Sequence, residues 1–270
     1  MAEAIQGPGM LWVTSRIATS SKDILDENTF LRWYDDDHIA EIVRCSGTKD
    51  AFRYVHVNKE SALGSEAVPK PFLAFYPMPD LRFTQGDEFK QIRVRSDILP
   101  GSGIIYDLAD IDVGYLGLIE KSECHKKKEP AQYMLTFAIE PASKTSDDKV
   151  NKFCNEVQFY LSDLEYLIAK CAQQMAIISK APGYLRSLRF RLLYARTNAQ
   201  SRALKGLPTT NEPNPEPPTW LAVHEFSSEP STEIKRSMEQ DQNDVLKRAK
   251  QKEIDIYRLA KVHGNGKFFE

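Results

Sequence analysis

The feature that most restricts the fold is a weak internal repeat: segments patterned as strands and helices recur in the order β-α-β-β-α-β twice along the 270 residues. Each half opens on a strand pattern, at residues 10–14 and 133–137. A helix pattern free of Pro and Gly follows, over residues 26–45 in the first half and within 148–180 in the second. The next strands align as Gly47-Thr48-Lys49-Asp50-Ala51-Phe52-Arg53-Tyr54 and Gly183-Tyr184-Leu185-Arg186-Ser187-Leu188-Arg189-Phe190. They share a leading Gly, a small residue, an apolar residue, Arg and an aromatic residue. The third strands, Phe72-Leu73-Ala74-Phe75-Tyr76 and Trp220-Leu221-Ala222-Val223-His224, agree by residue type at nearly every position. Short helical patterns at 85–92 and 232–239 and closing strands at 111–113 and 254–256 complete both copies.

This order is that of the ferredoxin-like unit. An antiparallel sheet with helices on one face leaves its other face bare, and two copies in one chain can cover each other. The fold expected is therefore α+β: tandem ferredoxin-like βαββαβ repeats forming an intramolecular, pseudo-dimeric α+β barrel. The polar run 123–130, with Lys126, Lys127 and Lys128, marks the boundary between a first lobe, 1–123, and a second, 124–270. A loop separates the second and third strands of each copy, at 58–70 and at the Pro-rich 197–218. Loops of this length serve as lids, and disorder is an equal alternative for the second.

Composition narrows the partners. The 38 acidic and 36 basic residues nearly cancel to a formal charge of -2, which offers no footprint for nucleic acid or an anionic membrane. No apolar run approaches the roughly 20 residues that cross a bilayer, and no basic-then-apolar leader opens the chain. A cytoplasmic protein with neither nucleic acid nor membrane as partner is expected. Cys45, Cys124, Cys154 and Cys171 lack CxxC spacing and read as buried free thiols. The chain contains no GxGxxG after a strand, P-loop, HExxH or GxSxG, and His125, His224 and His263 show no metal-ligand spacing. His125 and His263 lie in polar stretches expected to be exposed. No cofactor and no metal are expected.

Chemistry concentrates on the first helix. At 100° per residue, Phe30, Leu31, Tyr34, His38, Ile42 and Cys45 fall within about 120°, the arc that must pack on the sheet. On periodicity alone His38 is either a hydrogen-bonded core histidine or a general base, since burial lowers an imidazole pKa and a neighbouring carboxylate raises it. Tyr34, one turn earlier, brings a phenol to the same side. Asp35, Asp36 and Asp37 point about 100° apart and cannot converge on one ion. A solvated face is expected of them, with Asp35 alone placed to orient His38. Alternation puts Phe52, Tyr54 and His56 on one side of their strand and Ala51, Arg53 and Val55 on the other, without saying which side meets the helices. Phe72, Ala74 and Tyr76 share one side of the third strand, so either an aromatic-lined cavity or an ordinary core follows. Arg186, Arg189, Arg191 and Arg196 divide between two faces and read as surface or rim arginines.

The string Phe30-Leu31-Arg32-Trp33-Tyr34-Asp35-Asp36-Asp37-His38-Ile39-Ala40-Glu41-Ile42 resembles the first-helix motif of the EthD-like branch of the dimeric α+β barrel superfamily, and the chain looks like its duplicated fungal members. The resemblance implies a cofactor-independent tailoring enzyme of fungal secondary metabolism, acting on a hydrophobic polyketide- or terpenoid-like substrate by decarboxylation, cyclisation or isomerisation. It implies an inward-pointing His38 as general acid/base with Tyr34 beside it. Asp35, Phe30, Ile42, Phe52, Tyr54, Phe72 and Tyr76 would contact substrate. Counting back from Gly183, the second copy carries Gln174 where the first has His38 and Lys170 where it has Tyr34, so the second lobe would complete the barrel without this chemistry. Ring closure by a shaped pocket, a non-catalytic ligand-binding or stress-response role, and a purely structural fusion remain as alternatives. A fused chain of this kind is expected to be a monomer or a homodimer.

Overall fold

The computed structural model describes residues 4–122, 130–140, 178–239, 247 and 249–269. The strands are β1 (Gly9–Ile17), β2 (Asp50–His56), β3 (Phe72–Met78), β4 (Ala109–Lys121), β5 (Tyr133–Glu140), β6 (Tyr184–Arg196), β7 (Trp220–Phe226) and β8 (Gln251–Gly264). They are hydrogen-bonded in the closed order β1-β3-β2-β8-β5-β7-β6-β4. The fold is thus a mixed α+β fold with a closed eight-stranded barrel, and no helix among the described residues is long and apolar enough to cross a membrane.

The chain forms two compact units. One comprises 1–119, 190–217 and 257–270, the other 120–189 and 218–256, so β6 and β8 each run from one unit into the other. In the first unit β1 lies antiparallel between β3 and β4, with Val13 opposite both Ala74 and Val113. β2 pairs with β3 and with the end of β8, its register shifting between Arg53 and Tyr54. In the other unit β5 pairs with β7, Leu135 opposite His224.

The sheet of the first unit buries both faces. Leu11, Val13, Ala51, Phe72, Ala74, Tyr76, Ile111 and Val113 meet the helices in one apolar cluster. The other face carries stacked rings: Phe75 lies 4.9 Å from Phe52, 5.7 Å from Tyr54, 5.9 Å from Trp12 and 4.7 Å from Phe268. Such stacks add about 0.5–1.5 kcal/mol per pair beyond simple burial.

The helix expected at 26–45 is present but not uniform. Asp26 caps it, accepting from the Thr29 amide at 2.9 Å and the Thr29 hydroxyl at 2.8 Å. It proceeds as α1 (Glu27–Arg32), a π-helical segment (Trp33–His38) and α2 (Ile39–Ile42), with the Ile39 amide bonded to the Tyr34 carbonyl five residues back. The wider turn retards the phase by about 18° per residue, which carries Ile39 into the buried face and swings His38 and Ile42 round toward Trp33, so that Trp33 and Ile39 are buried although a 100° wheel leaves them outside the arc.

The short helix expected at 85–92 is present as α3 (Asp87–Gln91), after a 3-10 turn (Leu81–Gln85). The loop expected from 197 opens with a helix, α4 (Asn198–Leu204), started by a capping box between Thr197 and Gln200. Helix α5 (Thr232–Glu239) stands where the repeat predicts it. The segment expected to form the second copy's first helix, with Gln174 and Lys170, lies outside the described residues apart from 178–180, as do Cys124, His125, Cys154, Cys171 and most of the 123–130 run.

Candidate functional site

The helix face of β1, β3 and β4 is closed over by α1, the π segment, α2, α3 and the turn around Tyr106, leaving a cavity of about 60 Å³. Its polar lining is Tyr34, His38, Tyr76, Tyr106, Arg196 and Lys205, set among apolar residues such as Trp33, Ile42, Ile92 and Val113. His38 stacks on Trp33 at 4.8 Å and 16°, and meets Tyr34 edge-on at 6.0 Å. The π segment fixes this geometry: with the tighter α-helical advance, Trp33 and His38 would not lie in register for stacking.

Three polar atoms on residues that line the cavity are shut from water and lack a hydrogen-bond partner among the described residues: His38 Nδ1, the Tyr76 hydroxyl and Arg196 Nε. Orphan polar atoms are rare in native interiors, because each forfeits about 1–3 kcal/mol of lost hydration. Three around one void mark it as a place for a polar guest. Burial pushes the His38 imidazole down to about 4, against a hydrogen bond to the Arg93 carbonyl, and the charges of Lys205 and Arg196 act in the same direction as burial. Nδ1 is unpartnered, and on the neutral ring it can present a lone pair there. Burial also pushes the Tyr34 phenol up to about 12 and Tyr76 well above its ordinary value, so both remain protonated donors near neutrality. Lys205, donating to the carbonyls of Lys90 at 2.6 Å and Ile92 at 2.7 Å, is lowered to about 8 by burial and by the charge of Arg196.

The residues singled out from sequence separate into three places. Tyr34, His38, Ile42 and Tyr76 line the cavity. Phe30 and Phe72, 5.4 Å apart, pack in the core beside it. Phe52 and Tyr54 belong to the ring stack on the sheet's opposite face.

Asp35 does not orient His38. It receives a fork of two 2.8 Å hydrogen bonds from Arg53, with Lys261 at 3.3 Å and His263 at 3.2 Å. The three aspartates do not converge on one site: Asp36 shares Lys261 with Asp35, and Asp37 faces Arg93. Asp35 is not solvated, and His263 is not exposed, because each side chain is only 10% accessible.

Arg196 and Lys205, read as surface or loop residues, are instead in the cavity wall, and neither was singled out as a site residue. Arg186 is likewise buried, bonded to Glu225 at 2.6 Å. The available signal was the Thr197–Gln200 capping box: a helix beginning there folds the end of β6 inward. Cys45 is a half-buried free thiol. Among the described residues no group of His, Cys, Asp and Glu is placed to hold a metal ion.

A cavity of about 60 Å³ holds one or two waters, well below the roughly 300 Å³ at which drug-sized pockets begin. Its aromatic residues fill the space that a large metabolite would need. A second pocket, of about 330 Å³, shares Arg196 as a wall and is lined also by Ile5, Lys90, Tyr115, Tyr194 and Leu204.

No protein-family model matches the chain, and no curated protein matches it. Solved structures do. An anthrone oxidase-like protein superposes with a TM-score of 0.51 at 11% identity, over 98% of this chain and 96% of that one. A mutant chlorite dismutase from Candidatus Nitrospira defluvii gives 0.51 at 9% identity, over 96% and 93%. At such identities the likeness is one of fold, the α+β barrel.

Proposed function

We propose that the chain is a cofactor-independent enzyme that moves a proton on a hydrophobic small molecule, with His38 as the general acid/base. The observation that carries this reading is the unpartnered His38 Nδ1 in the cavity wall. An imidazole lowered to about 4 is neutral at pH 7, so its lone pair is available as a base. Nδ1 takes the proton from a carbon beside a substrate carbonyl, and the electron pair moves onto the carbonyl oxygen. Tyr34 and Tyr76, protonated donors, hydrogen-bond that oxygen as charge builds on it. Return of the proton to a different carbon is an isomerisation; attack of the enolate on a second carbonyl, before the proton returns, is a cyclisation. For a β-keto acid, Nδ1 takes the carboxyl proton, the C–C bond breaks with its electron pair moving onto the carbonyl oxygen as carbon dioxide leaves, and the same proton returns from Nδ1 to the enolate carbon.

The EthD-like motif supports a place among the duplicated fungal members of that branch and a polyketide- or terpenoid-like substrate. In this reading the chain is two ferredoxin-like lobes, 1–123 and 124–270, the second completing the barrel in a monomer or homodimer. The substrate's bulk occupies the 330 Å³ pocket and only its reacting end enters the smaller cavity. The size of that cavity favours a second reading, binding or ring closure governed by shape alone.

Native mass spectrometry of the protein purified from its own organism, beside His38→Ala, separates the two. A retained metabolite that changes identity in the variant supports proton transfer at His38. The same metabolite in both would discard it in favour of shape.

A further inference from the structure

Arg196 is 94% buried, its residue accessibility being 6%, yet it has no carboxylate within ion-pairing distance among the described residues. Its partners are neutral: Nη1 donates to the Ser201 hydroxyl at 3.0 Å, and the guanidinium lies 5.7 Å over the Tyr115 ring. Nε is unpartnered. A second cation, Lys205, lines the same cavity, and its Nζ is committed to backbone carbonyls rather than to an acid. Asp37 and Glu41, whose charges reach His38 and Lys205, are held by Arg93 at 3.0 and 3.2 Å and are not part of the lining. Buried charges in folded proteins are paired, because leaving an ion unpaired in a low-dielectric interior is far costlier than pairing it. This wall carries positive charge without its counterion.

We propose that Arg196 is an anion receptor and that the pocket takes an apolar, ring-containing carboxylic acid, its carboxylate on the guanidinium and its body against Tyr115, Tyr194 and Leu204. With Nη1 given to Ser201, Nε lies on the free edge of the fork, the edge on which guanidinium and carboxylate meet bidentately. Arg196 is the wall common to both voids, so an acid entering the larger pocket sets its anionic end there and turns the adjoining atoms toward the cavity that holds His38. Tyr115 and Tyr194, 5.3 Å apart and tilted by 58°, supply ring faces on the pocket side of the guanidinium. The inference deepens the proton-transfer reading by giving its substrate a class, and it rests on that reading only for what happens after binding.

The test uses the full chain and two probes of one shape, 1-naphthoate and its uncharged amide, titrated by calorimetry. Wild type should bind the acid at least about tenfold more tightly than the amide, the scale of one charge-assisted hydrogen-bond pair. Arg196→Gln should erase that ratio while leaving amide affinity within about twofold, and Arg196→Lys should retain part of it. His38→Ala should keep the ratio unchanged. Equal affinities in wild type, binding of neither probe, or a preference that survives in Arg196→Gln would each overturn the proposal. Should the glutamine variant fail to fold, the wild-type ratio and the lysine variant still decide. An Arg196-dependent preference in a protein whose retained metabolite ignores His38→Ala would uphold the anion site and remove proton transfer at His38.

Discussion

Replacing Asp35 by Asn should destabilise the protein more than replacing any one of its partners. Three basic side chains converge on this carboxylate: Arg53 through two 2.8 Å bonds, His263 at 3.2 Å and Lys261 at 3.3 Å. Arg53 and Asp35 are 8% and 10% accessible at the side chain, so their pairing is little screened. Removing one member of a buried pair costs about 3–5 kcal/mol, most of it the penalty of stranding the other. Asp35→Asn strands Arg53 and should incur that whole penalty. Arg53→Leu leaves Asp35 with Lys261 and His263 and should cost about half as much, and Asp35→Leu with Arg53→Leu should recover much of the loss. With an m-value of about 3 kcal/mol/M in urea, the Asn variant's midpoint falls by about 1–1.7 M, read from far-UV circular dichroism. The pH dependence provides a second check. Burial alone would raise the Asp35 carboxyl, but hydrogen bonds from His263 and Arg53 and the charges of Arg53 and Lys261 outweigh it and hold the group well below the carboxylate range. A depressed carboxyl contributes fully above its unfolded value of 3.8, and the contribution fades as pH falls below that value. The Asn variant should therefore lose stability at pH 6 and approach wild type in acid. A loss under about 1 kcal/mol at pH 6, or an Arg53→Leu loss as large as that of Asp35→Asn, would refute the reasoning.

Tyr76→Phe removes a buried hydroxyl without a partner and should stabilise the fold by about 1 kcal/mol or more, seen as a rise in Tm, while impairing turnover; a lower Tm would show the hydroxyl to be satisfied. His38 should remain neutral in NMR titration down to about pH 5, and because its folded value of about 4 lies below the unfolded 6.5, its contribution to stability is complete above pH 6.5 and declines as pH falls toward 4. An imidazole titrating at 6 or above would contradict the site geometry. Gly264→Ala drives a Cβ into the Lys49 carbonyl oxygen at a φ of +83°, and should cost more than about 2 kcal/mol, measured as a lowered urea midpoint; wild-type stability would mean that the β2–β8 end relaxes freely.

Strand positions were legible because the alternation of apolar residues and the Gly-led segments recur in both halves. Phase within the first helix was not. Six residues of π geometry move Ile39 inward and turn the buried face toward Trp33, and nothing in a wheel drawn at 100° announces the change. The faces of β2 were unreadable for a different reason: six of its seven residues are buried, so no polar side distinguishes Phe52 and Tyr54 from Ala51 and Arg53. Tyr34, His38 and Tyr76 were found because they sit on elements the pattern located. Arg196 and Lys205 were missed because their burial depends on α4, whose start was hidden in a stretch that Pro and Thr make look irregular. His263 and Asp35 share that lesson, since they meet across 228 positions of sequence.

The passage of β8 into the first unit sets a timetable for synthesis. β2 is complete at residue 56, but the strand that hydrogen-bonds its other edge ends at Gly264, roughly 200 residues later. At translation rates of about 5–20 residues per second, that edge waits some 10–40 s for its partner. Through this interval a strand rich in Phe, Tyr and Val offers unpaired amides and carbonyls to any neighbouring nascent chain. Asp35 meanwhile lacks Lys261 and His263. Yield of soluble protein should therefore respond to the rate of elongation and to chaperones that shield strand edges, independently of the stability of the finished fold.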